Sequence, residues 1–152
     1  MKNVDAATLV TLRRLLLGIL LFGLVGTGAE LLLIGHHEDI WQRIPLAVLV
    51  AAILTSFGIL LTPSTSVATI QLFRGAMVLL MLSGATGSVL HYRANREFKL
   101  EMDPSLRGFP LFWSVVRAKA PPALAPGNLA LLGLLGLALA FRIDVSTPSR
   151  NS

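Results

Sequence analysis

The sequence contains no cysteine. That absence excludes disulfides, cysteine-ligated iron–sulfur clusters, c-type haem attachment and a thiol nucleophile. Charge is also scarce: Asp, Glu, Lys and Arg make up 14% of the 152 residues, against about 25% in soluble domains. Signatures of common enzymes are missing too. There is no Walker loop, no HExxH, and no serine–histidine–aspartate set in a strand–turn–helix context. What abounds is apolar surface, with 54% hydrophobic residues and a mean hydropathy of +0.73. A soluble chain of this length leaves about 30% of its surface exposed, so this excess of apolar side chains fits lipid better than water. The net charge of +5 invites a nucleic-acid reading. The basic residues flank apolar runs instead of forming a stripe, so lipid headgroups are the expected partner and nucleic acid is not.

The apolar residues form four continuous runs without a period of two, so the expected spans are helices. Leu15–Ile34 is broken only by Glu30, and Ile44–Leu61 carries no charge. The third run, from about Thr69 to Leu90, has Gln71 and Arg74 in its opening turns. The fourth lies within Ala120–Phe141. The pattern predicts an all-α integral membrane four-helix bundle, with an interfacial segment in the loop between helices 3 and 4. It reads as one transmembrane domain over residues 1–152, with helices at about 9–35, 44–62, 69–92 and 122–142 and a polar and interfacial loop at 92–121. Arg13, Arg14 and Thr27-Gly28-Ala29 resemble a signal peptide, but Leu31–Ile34 carry the apolar run past the cleavage point. The fourth helix is crowded at its start by Pro121, Pro122 and Pro126. From Gly127 to Phe141 it spans about 22 Å, short of a core about 30 Å thick. The expectation is a kinked helix starting near Pro122.

Within the long loop, Arg93, Arg96, Glu97, Lys99, Glu101 and Asp103 precede the apolar Leu106–Val116. That second part is too short to cross and too apolar to leave the bilayer, so it is expected to lie in the headgroup layer. Counting basic residues leaves orientation nearly balanced. Lys2, Arg13, Arg14, Arg74, Arg142 and Arg150 fall on one side, and Arg43, Arg93, Arg96, Lys99, Arg107, Arg117 and Lys119 on the other. The flanks of the first helix decide it: Arg13 and Arg14 precede it, while His36, His37, Glu38 and Asp39 follow. Both termini are expected in the cytoplasm, and the chain in the cell membrane, a bacterial inner membrane.

One side of this topology gathers all three histidines, both tryptophans, the one tyrosine and six of the eight acidic residues. The opposite connection, Thr62–Ala68, has nothing that titrates. Glu30, His36, His37, His91 and Arg93 are therefore the candidate polar cluster. Glu30 lies about 6 Å below the interface by helical rise, where a carboxylate faces protein or water. Gly23, Gly26, Thr27 and Glu30 share one helical face. Gly84, Gly87, Ser88 and His91 repeat the arrangement at i, i+3, i+4 and i+7. These small-residue faces are expected to pack against each other and to bring Glu30 to His91. Alternatively, Glu30 reaches the headgroups or pairs with Arg43 or Arg93. Arg74 is expected to extend to the opposite headgroups, and Trp41, Tyr92 and Trp113 to anchor at the interface. A metal site would need three or four converging ligands, and adjacent His36 and His37 do not point one way. No cofactor is expected, and metal binding stays open.

No charge sits near a helix midplane, which argues against a coupled transporter. Three functions remain. The leading one is a non-enzymatic accessory or interaction subunit that holds a membrane protein partner or a second copy of itself. The second is an oligomeric small transporter or channel with a Glu/His vestibule. The third is a membrane enzyme or metal-binding protein using the same cluster.

Overall fold

The structure, a computed structural model, describes residues 2–62, 66–118 and 124–141. Within them lie five α-helices and no strand: α1 (Lys2–Leu33), α2 (Ile40–Leu61), α3 (Val67–Met102), α4 (Gly108–Val116) and α5 (Leu124–Ala140). The chain is all-α as expected, but the helix count is five. The extra helix, α4, is the apolar segment of the long loop. α1, α2 and α3 are each long and apolar enough to cross a membrane, and α5 is a shorter apolar helix.

The ends of the elements differ from the expected ones for local reasons. α3 does not stop near 92 but runs to Met102. Arg93–Glu101 contain neither Pro nor Gly, and Arg, Ala, Glu, Lys and Leu all favour helix. The helix ends where Pro104 pushes Asp103 into extended backbone, at φ −144° and ψ 93°. The Asp103 carboxylate then accepts from the Ser105 N–H at 3.0 Å and hydroxyl at 2.6 Å. Gly108 follows in the left-handed region at φ 55° and opens α4. Leu111 and Val115, one turn apart, are the buried pair of α4, which packs alongside α3 with Phe112 against Tyr92 at 6.2 Å.

α2 starts at Ile40, earlier than expected, with the Gln42 side chain accepting from the Glu38 N–H at 3.1 Å. Pro45 lies inside this helix, so the Trp41 carbonyl receives no helical hydrogen bond from it. The expected start of the last helix near Pro122 falls outside the described residues. Pro126 occupies the first described turn of α5, where a missing N–H costs little.

α1, α2, α3 and α5 form a closed cycle of neighbours, α1–α2–α3–α5–α1, with α1 and α3 diagonal. The expected packing of the small-residue faces of the first and third helices is therefore wrong. Both faces meet α5 instead. A Cβ added at Gly23 would lie 2.6 Å from Leu132, and one at Gly87 would lie 3.1 Å from Pro126. One at Gly84 would run into the α5 backbone at Pro126 and, at 2.5 Å, the Ala130 nitrogen. Gly26 faces open space, so it serves no packing role among the described residues. The reciprocal glycine is Gly133 on α5, whose added Cβ would lie 2.7 Å from both the Met77 carbonyl and the Met81 nitrogen. α3 and α5 thus approach backbone to backbone, antiparallel, in the way small residues permit inside lipid.

Two polar contacts tie the cycle together. Asn128 donates to the Thr27 hydroxyl at 2.7 Å, joining α5 to α1. Arg74 does not extend away to headgroups; its Nη2 donates to the Ala140 carbonyl at 2.7 Å and closes the end of α5. Among the described residues, no buried side-chain nitrogen or oxygen lacks a partner. The centre is filled by Leu20, Leu24, Phe73, Met77 and Leu80, all 1% exposed or less. Outward, Phe22 is 82% exposed in the interior of α1, an arrangement that suits lipid and not water.

Candidate functional site

At the end of α1 the chain folds back through a Schellman turn. The His36 N–H donates to the Leu31 carbonyl at 2.9 Å, and the Gly35 N–H to Leu32 at 3.1 Å. This requires left-handed backbone at Gly35, with φ 72°, which glycine adopts without a Cβ penalty. The turn carries His36 to α3, where its ring stacks on His91 with centroids 6.3 Å apart and planes 26° from parallel. Two histidines 55 positions apart thus become neighbours through one glycine.

Two cavities adjoin this pair. The inner one, about 450 Å³, lies among the ends of α1, α3 and α5 and is lined by Glu30, His36, Ser83, His91 and Pro126. The outer one, about 670 Å³, is a groove between α2 and α3 with Asp39, Trp41, Val48, Leu79 and Thr86 in its wall. They share His36, Pro45, Ser83, Gly87 and His91. The two cavities therefore adjoin, and both reach the bundle's surface, where Glu30, Asp39, Trp41 and His91 are exposed. Burial, and then the neighbouring His91, hold the His36 imidazole below its usual range. Two stacked imidazoles resist sharing two positive charges.

Of the five candidates in the polar cluster, the structure brings Glu30, His36 and His91 to one cavity. No hydrogen bond or ion pair joins Glu30 directly to His91 among the described residues, although both line the same cavity. His37 and Arg93 are exposed and line neither cavity. The His37 carbonyl accepts from Arg43 Nε at 3.1 Å, which fixes the turn instead. Ser88 donates to the Gly84 carbonyl of its own helix at 3.1 Å. Among the described residues, no three His, Asp or Glu side chains converge as metal ligands.

No protein-family model, curated protein or solved structure matches this chain. The chemistry of the site therefore rests on the residues themselves.

The aromatic residues divide between two places. Trp41 belongs to the groove wall. Trp113 belongs to α4, stacked on Phe109 at 6.1 Å and 15°, with the Arg117 guanidinium 5.8 Å over its ring. Tyr92 is held against Phe112 of the same helix. Sequence reasoning overlooked Asn128, Pro45, Gly133 and Ser83. Gly133, Gly136 and Ala140 do carry a readable signal, a small residue once per turn in the last apolar run. Pro45 and Ser83 carry none, because only the packed bundle makes them cavity walls.

Proposed function

We propose that this chain is a multi-pass membrane protein of a bacterial inner membrane that acts by binding and not by catalysis. In this reading it crosses four times, with α5 and its flanking residues as the short last crossing and both termini in the cytoplasm. Its ligand is an amphipathic molecule of lipid size that enters sideways between α2 and α3. The observation that supports this most is the pair of largely apolar cavities joined at His36 and His91, with Glu30 in the wall of one and Asp39 in the wall of the other. Their volumes fall in the range of about 300–1,000 Å³ usual for small-molecule sites. The channel reading draws no support from the layer below, where Leu20, Leu24, Phe73, Met77 and Leu80 fill the bundle. The binding reading leaves room for an accessory role, in which the ligand or the cavity belongs to a larger membrane assembly.

Native mass spectrometry of the purified chain tests the proposal. The expected result is a retained adduct of lipid mass that is lost in Ser83→Phe, which fills the junction of the cavities, at unchanged helix content. An adduct-free protein whose behaviour with added amphiphiles is identical in Ser83→Phe would refute it. The absence of native cysteine makes the topology testable by single-cysteine labelling. Cysteines at positions 39 and 105 should react from the periplasmic side only.

A further inference from the structure

The charged lining of the two cavities is of one sign. Glu30 contributes a carboxylate to the inner cavity and Asp39 one to the groove, while no arginine or lysine lines either among the described residues. This is not for want of basic residues at that end of the bundle. Arg43 sits one turn from Asp39, yet its guanidinium is turned to the His37 carbonyl. Arg93 follows closely after His91 and points elsewhere, lining neither cavity. The bundle end is basic, but the chamber within it is acidic.

Three of its other groups suit a cation. His36 is held toward the neutral form by burial and by His91, and a neutral imidazole offers one nitrogen as an acceptor. The Ser83 hydroxyl can accept as well, and Trp41 lines the groove with an aromatic ring of the kind that attracts cations. Along the rest of the groove Val48, Leu79 and Leu82 offer only hydrocarbon. An anionic headgroup would meet two carboxylates with no counter-charge. A positive head with an apolar tail would meet carboxylates, acceptors and an aromatic side chain, then hydrocarbon.

We infer that the joined cavities take a lipophilic amine, with its ammonium head between Glu30, Asp39 and the histidine pair and its chain along the α2–α3 groove. The inference rests on the reading of these cavities as a ligand chamber. Such a head occurs on zwitterionic bilayer lipids and on free amphipathic amines, and both present the same chemistry.

The test is a titration of the full chain in maltoside micelles, followed by native mass spectrometry, with dodecylamine, dodecanoate and dodecanol as probes of equal chain length. Dodecylamine should bind saturably and about tenfold or more tighter than dodecanoate. Glu30→Gln and Asp39→Asn should each weaken it by about three- to tenfold, as expected for one partly solvated ion pair. Glu101→Gln, on the exposed end of α3, should leave it unchanged. Displacement of dodecylamine by phosphatidylethanolamine assigns the site to a bilayer lipid, and failure to displace assigns it to a free amine; both support the inference. Equal binding of dodecanol or dodecanoate, or unchanged binding in both Glu30→Gln and Asp39→Asn, overturns the ammonium assignment while leaving the chamber intact. If none of the three probes binds, and Ser83→Phe changes nothing, the chamber reading falls with it.

Discussion

The two ends of the α3–α5 pair behave oppositely although the helices are continuous. Toward one end, Gly133 lets the α5 backbone touch Met77 and Met81, and Arg74 closes the last carbonyl at Ala140. Toward the other, Gly84 and Gly87 still hold α3 against Pro126 in the first described turn of α5, and only beyond that contact do the helix ends leave space beside His91. In lipid there is little hydrophobic drive between helices, so closeness is decided by side-chain size and by hydrogen bonds. Small residues line the seam at both ends, and at the packed end the Arg74–Ala140 hydrogen bond also closes the helix terminus. The open end has prolines, helix termini and titratable groups. Nearly all the chemistry this chain can offer collects where the packing stops.

The largest expected effect breaks the packed end. Gly133→Ala should cost about 1–3 kcal/mol, because the new methyl meets two backbone groups that cannot retreat. Ser83→Ala at the open end should stay within about 0.5 kcal/mol. Denaturant unfolding in detergent checks both, and equal costs would erase the contrast. Next comes Asn128→Ala, which leaves the Thr27 hydroxyl without its 2.7 Å donor. A loss of about 0.6–1.7 kcal/mol is expected for one interhelical hydrogen bond in a membrane protein. Arg74→Ala removes a cation and a donor from the α5 C-terminus and should cost about 0.3–1 kcal/mol, measured by the same unfolding.

The smallest effect is the pH response of the open end. Glu30 from α1, Asp39 before α2, His91 from α3 and His36 itself face the chamber. The folded-state pKa of His36 lies below its ordinary value of 6.5. Its contribution to stability is therefore full above about pH 6.5 and is lost as pH falls through the folded value. Unfolding midpoints should fall slightly from pH 7.5 to pH 5.5, and the fall should shrink in His36→Gln. A midpoint that rises on acidification would contradict the stacked pair.

Much of the fold was legible. Three long apolar runs gave three helices able to cross a membrane, and the apolar stretch after the charged loop settled as α4 beside α3. The end of α3 is not legible from polarity, because the charged Arg93–Glu101 are strong helix formers and carry the helix on toward Pro104. Gly23, Gly84 and Gly87 were recognisable as packing positions, but not their partner. A helical face shows that something will pack on it, not which helix will. Likewise Glu30, His36 and His91 could be placed at one end from topology. The cavity between them depends on Gly35, Pro45 and Pro126, whose effect appears only once the helices are arranged.

The central claim is that the chamber at Ser83 is open to an amphipathic ligand while the centre of the bundle is closed. Because the chain has no cysteine, two single-cysteine variants in liposomes compare these places directly. Ser83→Cys lies in the wall shared by both cavities, and Ala52→Cys lies at a position with 0% exposure. The account predicts that a lipophilic thiol reagent modifies Ser83→Cys quickly and that dodecylamine protects it, while Ala52→Cys stays unmodified. Equal modification of the two, or no reaction at Ser83→Cys, would contradict it.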